Sequence, residues 1–476
     1  MGPLMLILCF ATGCLLAVGV VPVAHALSRQ LAGGRQRQFH QAPGEAVTRL
    51  GGLCLVASLL GTLIVESLLT PHGGLLDAPY PAIIVTALAM FAMGFWDDIR
   101  PLGARRKLIL QVAIAATAWA WGIRVELYKS LLFTGTSREW GPWSLPVTVV
   151  WLVALTNLIN LIDGIDGLAA GIGLMMMTLL ACVGFEAGQY LSALVATGMA
   201  GALLGFLYFN FPPATIYLGD GGAYFLGFLI GALSVANSHK ATVAAALIAP
   251  IFALGLPIVD VFLAILRRGL NGLPIFRADR KHLHHRLLES GLSRRRTVLL
   301  LYLVSLVCLA AAFGVFWSQG RLVPLLLGFL FLALLATSRS FSFRREWFAL
   351  GRLVGNSLEM RRETRYALAL TNWFELEAER CRSGEDLWRS YTFLVGSLQL
   401  ARVSLRGVAQ EHDWRAVTTD ETAPPRTACF DLTGGASLHL WAAESLPERR
   451  FELDAELAAE AWARGFERWR ELSRQT

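Results

Sequence analysis

Pro146-Val-Thr-Val-Val-Trp-Leu-Val-Ala-Leu-Thr-Asn157-Leu-Ile-Asn160-Leu-Ile-Asp163-Gly-Ile-Asp166-Gly-Leu168 runs from an almost unbroken apolar stretch straight into two amides and two carboxylates at three-residue intervals. The apolar part approaches the ~20 residues that cross a bilayer as a helix. A carboxylate at the centre of a spanning helix costs roughly 2.5–3.5 kcal/mol on insertion scales. A chain that keeps acids beside such a run has a use for them. Three-residue spacing keeps the four polar groups on one helical face, and Gly164 and Gly167 allow a break just beyond.

The rest of the chain has the same character. Of its 476 residues 55% are hydrophobic and 16% charged, against about 25% charged in soluble domains. Runs suited to crossing a membrane cover 4–26, 51–69, 80–96, 105–123, 146–162, 168–186, 190–210, 222–237, 241–266, 297–316 and 321–338. They lack the alternation of a barrel, so helices are expected. The fold class is an all-α polytopic membrane protein of about 11 transmembrane helices over residues 1–338, followed by a small cytosolic α+β domain over 339–476.

Charge orients the spans. No basic residue precedes the first run, and Arg29, Arg35 and Arg37 follow it, the reverse of a cleaved signal peptide. Loops 27–50, 97–107, 157–167, 210–221 and 267–296 hold 17 Lys and Arg, and the opposite loops hold 5. Basic loops stay inside, so the first set and the C-terminus are expected in the cytosol. The net charge of +7 follows from this bias and from attraction to anionic lipid; no nucleic-acid motif is present. Five of the seven cysteines lie in apolar runs and none has metal-ligand spacing, so they read as buried thiols.

Every acid-rich or histidine-rich motif falls on the side assigned to the cytosol. Asp97 and Asp98 end the third run. Adjacent carboxylates repel unless a cation or proton separates them, and hard oxygen ligands suit Mg²⁺; a solvated helix end or a cap for the next helix is the plainer alternative. Arg106 and Lys107 follow as phosphate contacts or as ordinary positive-inside residues. Asn157 and Asn160 could meet a nucleotide, orient the acids, or pair between helices. Asp220, between Gly219 and Gly221, opens the eighth run as a helix cap or a metal ligand. Asp260 lies inside the ninth run, as a structural ion-pair partner or a functional acid. His282, His284 and His285 sit among Arg277, Arg280, Lys281 and Arg286, a setting that favours an anion over zinc.

Together these motifs closely resemble the polyprenyl-phosphate N-acetylhexosamine-1-phosphate transferases of glycosyltransferase family 4. Members start O-antigen, enterobacterial common antigen and wall teichoic acid synthesis; the phospho-MurNAc-pentapeptide transferase is a more distant branch. The resemblance covers about residues 1–338, with five motifs in the family's order: Thr48-Arg49-Leu-Gly-Gly, Asp97-Asp98, Asn157 to Gly167, Gly219-Asp220, and His282-Leu-His284-His285. The last has the form found in the N-acetylhexosamine branch. One departure is Gly44-Glu-Ala-Val, where relatives carry proline before the Arg-Leu-Gly-Gly segment.

The resemblance implies a bacterial plasma-membrane enzyme with a cytosolic active site. It implies transfer of a sugar 1-phosphate, GlcNAc by its branch, from a UDP-N-acetylhexosamine to undecaprenyl phosphate, with release of UMP and dependence on Mg²⁺ or Mn²⁺, and it leaves room for a homodimer. On that reading Asp220 and Asp98 hold the metal, and Asp97, Asp98, Asp163 and Asp166 form the catalytic cluster. Thr48, Arg49, Lys107, Asn157, Asn160, Asp260, Arg280, His282, His284 and His285 meet the substrates.

Residues 339–476 contain no membrane-length run. Stretches 357–381, 385–407 and 453–474 read as helices, and 427–432 with 437–441 as a hairpin turning at Gly434 and Gly435. A docking or regulatory module is expected there. The competing class for the whole chain is a transporter or lipid flippase with intramembrane acids. Transporters place such acids near the midplane between repeats, whereas here they gather at one surface and no repeat is evident.

Overall fold

The computed structural model describes residues 3–31, 48–69, 79–100, 102–125, 127–129, 137–139, 141–238, a few isolated positions between 251 and 287, 292–318, 366–407, 412–416, 426–432, 436–442, 446 and 448–473. The described residues fall into two compact units, one reaching to residue 318 and the other beginning at 366.

The first unit is helical: α1 Pro3–Leu31, α2 Gly52–Leu69, α3 Tyr80–Ile99, α4 Ala104–Ala120, α5 Ser144–Ile162, α6 Leu168–Glu186, α7 Tyr190–Asn210, α8 Gly219–Ser238 and α9 Arg294–Trp317. A short antiparallel pair, β1 Leu127–Lys129 and β2 Ser137–Glu139, precedes α5. Among the described residues eight helical stretches are long and apolar enough to cross a membrane. The expected run 105–123 forms the 17-residue α4, one residue short of that group. The expected runs 241–266 and 321–338 lie largely or wholly outside the described residues.

Local chemistry sets the breaks. Gly167, at φ +79°, admits the turn into α6. Pro212 and Pro213, which lack an N–H, follow the α7 cap residue Phe211. Helix α8 is the hub. It packs against α2, α3, α5, α6 and α7, and 94% of its spanning stretch is buried. Small residues let the backbones approach. A Cβ on Gly52 would lie 2.6 Å from the Gly222 nitrogen, and one on Gly94 would lie 2.6 Å from the Asp220 carbonyl oxygen.

In the second unit a helix over 366–378, here α10, precedes α11 Gly384–Ser397. Strands β3 Arg402–Arg406, β4 His412–Arg415, β5 Arg426–Asp431 and β6 Ser437–Ala442 form an antiparallel sheet in the order β4-β3-β6-β5. Helix α12 Glu448–Ser473 follows. The core joins Phe374, Tyr391 and Trp462 to Val403, Leu438 and Leu440, and the buried Tyr391 hydroxyl donates to the Ala458 carbonyl at 3.0 Å.

The hairpin expected from 427–441 is the β5–β6 pair. The helix expected across 385–407 is corrected: it stops at Ser397, and Arg402–Arg406 is a strand. Gln399 takes a positive φ of 59° and ends the helical path, and β3 then pairs along its length with both β4 and β6.

Introducing Gly52→Val should push side-chain atoms into the Gly222 backbone. We expect a loss of about 1–3 kcal/mol, read as a lower apparent melting temperature of the detergent-solubilised protein.

Candidate active site

Four connections meet at one end of the helical unit: those between α1 and α2, α3 and α4, α5 and α6, and α7 and α8. Their backbones are stitched together. The Tyr217 N–H donates to the Thr48 carbonyl at 2.7 Å, Gly51 N–H to Tyr217 at 2.9 Å and Gly52 N–H to Leu218 at 3.0 Å. The Thr48 hydroxyl is 3.0 Å from His25 Nδ1.

Asp98, buried at the end of α3, accepts the N–H groups of Asp220 at 3.1 Å and Gly221 at 2.9 Å. These are two of the donors that a helix start leaves without an intrahelical partner, so Asp98 caps α8 from another helix and its charge opposes the positive helix end. Gly219, at φ +76°, makes the approach feasible: a Cβ there would lie 2.1 Å from the Arg49 carbonyl oxygen and 2.8 Å from Asp98 Oδ2.

Asp220, in the first turn of α8, thereby faces Lys107 of α4. Lys107 Nζ stands 2.5 Å from Asp97 Oδ2 and 3.0 Å from Asp220 Oδ2. Asp97 also accepts the Leu102 N–H at 2.6 Å, so it holds the α3–α4 turn, while the cap position of α4 itself is Gly103. The Tyr224 hydroxyl lies 3.4 Å from Asp220 Oδ2, and Asn160 Nδ2 lies 3.5 Å from that hydroxyl.

Asp163, just past α5, accepts no hydrogen bond or ion pair among the described residues. Burial pushes its carboxyl well above the usual range, and the nearby charges of Asp220 and Asp98 push it further, with Arg49 opposing. Asp166 accepts the Ala214 N–H at 3.2 Å and lies 4.0 Å from Arg294. Asn157 donates to Gln111 at 2.7 Å and to the Val153 carbonyl at 2.8 Å, an interhelical amide pair. Asp260, Arg280, His282, His284 and His285 lie outside the described residues.

Among the described residues no three acids, histidines or cysteines gather as a ready-made metal cage. Mg²⁺ seldom needs one: it keeps several waters and takes one or two carboxylates plus substrate phosphates. A half-buried carboxylate with no hydrogen-bond partner among the described residues, Asp163, within electrostatic reach of Asp98 and Asp220, fits that demand.

Sequence reading did not single out Asn210. It is buried at the end of α7, accepts the Gly167 N–H at 3.0 Å and donates to the Ile216 carbonyl at 2.7 Å. One amide thus ties the loop carrying Asp163 and Asp166 to the loop leading to Asp220. From α9, the Tyr302 hydroxyl donates to the Gly167 carbonyl at 2.5 Å and Arg295 Nε to the Pro212 carbonyl at 2.7 Å. The faint signal was a polar residue directly before Phe211-Pro212-Pro213.

A bundle of membrane-length helices thus carries a carboxylate-rich, lysine-bridged cluster at one end. Residues 80–238 match the sequence profile of glycosyl transferase family 4. A protein of Bacillus subtilis named probable undecaprenyl-phosphate N-acetylglucosaminyl 1-phosphate transferase is 32% identical over 302 residues, covering 63% of this chain and 82% of the relative. The decaprenyl-phosphate N-acetylglucosaminephosphotransferase of Mycobacterium tuberculosis is 33% identical over 355 residues, 69% of this chain and 85% of the relative. A phospho-N-acetylmuramoyl-pentapeptide-transferase of Clostridium botulinum is 27% identical over 273 residues, 54% of this chain and 79% of the relative. The chain belongs to glycosyl transferase family 4, among the relatives of the polyprenyl-phosphate GlcNAc-1-phosphate transferases.

Replacing Asn210 by Ala leaves a buried N–H and a buried carbonyl without partners. We expect a stability loss of about 1–3 kcal/mol per orphaned group, measured by thermal unfolding in detergent.

Proposed function

We propose that this protein transfers GlcNAc 1-phosphate from UDP-GlcNAc to a bacterial polyprenyl phosphate, undecaprenyl phosphate by the resemblance of its motifs, and releases UMP at the cytosolic face of the plasma membrane. The observation that carries the reading is the convergence of Asp97, Asp98, Lys107, Asp163 and Asp220, drawn from α3, α4, α5 and α8, at one end of the bundle.

The lipid phosphate oxygen attacks the sugar-linked phosphorus, and the bond to the UMP phosphate breaks with its electron pair leaving on UMP. Little covalent work falls to the protein in phosphoryl transfer; positioning and charge stabilisation carry the catalysis. Lys107 presents an ammonium to phosphate oxygens from its place between Asp97 and Asp220. Arg49 adds a second positive charge, felt at Asp98, Asp163 and Asp220. Asp163 and Asp220, steadied by Asp98, would hold Mg²⁺ or Mn²⁺, which when bound neutralises charge on the phosphoryl oxygens. Arg280, His282, His284 and His285 are assigned to the leaving UMP, and Asn160 to orienting the nucleotide. The second unit is assigned an accessory role.

Transfer is measured by incubating the purified protein with radiolabelled UDP-GlcNAc, undecaprenyl phosphate and Mg²⁺ and counting lipid-soluble label that excess UMP reverses. Asp220→Asn and Asp98→Asn should each lower turnover by on the order of 10²-fold or more in protein that still inserts. Transfer near the wild-type rate by Asp220→Asn would refute its role at the metal.

A second expectation concerns pH. A carboxyl raised by burial stays protonated above the usual carboxylate range, and a divalent cation binds only the ionised form. Apparent Mn²⁺ affinity should therefore fall as pH drops through the raised Asp163 value, and this dependence should weaken in Asp163→Asn. Titration of Mn²⁺ by electron paramagnetic resonance at a series of pH values checks both.

A further inference from the structure

Helix α10 is apolar on two faces. One, formed by Ala367, Phe374 and Ala378, is buried in the core of its own unit. The other carries Tyr366, Trp373 and Leu376, which are exposed, with Leu376 at 61%. These positions recur at seven and three residues and so share one side of the helix. Phe393 of α11, 59% exposed, extends the patch: its ring meets Trp373 edge-on with centroids 5.2 Å apart. Arg389 stands one turn before Phe393 and is exposed, as are Arg380 and Arg382 beyond the end of α10. The acids of α10 are engaged by arginines: Glu375 by Arg464 and Arg468, Glu379 by Arg468 and Glu377 by Arg380. A helix with apolar residues on opposite sides needs a second cover, and a contiguous exposed patch with aromatic members marks an interaction site.

We propose that Tyr366, Trp373, Leu376 and Phe393 form a docking face for the surface of an anionic bilayer. Three features select this occupant over another protein. The unit is tethered to membrane-spanning helices, so a bilayer surface is always at high effective concentration. Trp and Tyr are the side chains enriched where headgroups meet acyl chains. Arginines at the patch margin supply the charge that draws an interfacial segment to anionic headgroups.

The test uses the full-length protein, one chain per lipid nanodisc, with the photoreactive residue p-benzoylphenylalanine introduced at Leu376 and, separately, at Thr427, which is exposed on strand β5. After irradiation, mass spectrometry assigns the adducts. The proposal expects phospholipid attached at position 376, with little at 427. It expects the yield to rise at least about twofold when phosphatidylglycerol replaces part of the phosphatidylcholine, and this rise to be lost in Arg389→Gln. Absence of lipid adduct at 376 in either disc, or a yield that ignores lipid charge, overturns it. A chain-to-chain adduct at 376 in discs holding two copies, with no lipid adduct, would assign the face to a second copy of the protein instead.

Discussion

A carboxylate from one membrane helix closes the start of another, and the active-site end of the bundle is arranged around that contact. Asp98 accepts two N–H groups at the head of α8. Hydrogen bonds of a charged group contribute roughly 1.5–3 kcal/mol each, and they are stronger away from water. The contact needs glycine at 219, where any side chain would collide with the Arg49 carbonyl, and at 94, where one would meet the Asp220 carbonyl. Once α8 is held this way, Asp220 emerges one residue into the helix and points at α4.

Lys107 solves the problem that this creates. Two carboxylates brought together near a membrane repel, and burying either without compensation is costly. The Lys107 ammonium lies between Asp97 and Asp220 and offsets part of their charge before any ligand arrives. Asp163 has no such partner among the described residues. The site therefore divides into a lysine-bridged half and a carboxylate whose neighbours favour its neutral form until a cation is bound. A transporter that moves ions through its midplane has no evident use for this division at one end of a bundle.

The second unit shows the same economy of faces on a smaller scale. Its aromatic residues fill a core between helices and sheet, with Tyr391, Trp462 and Phe374 in mutual contact. Trp373, the neighbour of Phe374 in the chain, is turned outward. A helix packed on one side against the core of its unit leaves the other side for something beyond it.

Much was legible from residue order alone. Helices 168–186 and 190–210 begin and end where their apolar runs do, because in lipid a helix must satisfy its own backbone and length follows from bilayer thickness. The segregation of Asp97, Asp98, Asp163 and Asp220 to one side was also readable, since connections between alternating spans must share sides. Partner choice was not. Residue order left Asp98 as a metal ligand, a cap for the next helix or a solvated helix end, and only the approach of α3 to α8 makes it a cap for a helix about 120 residues away. Asn157 looked like Asn160 in sequence, yet packing paired it with Gln111. Asn210 carried almost no local signal, because its importance lies in two backbone groups brought to it by separate loops. The strand at 402–406 was hidden inside an apparent helix for the same reason: local pattern sets what a segment can form, and the neighbours that close its hydrogen bonds decide which form it takes.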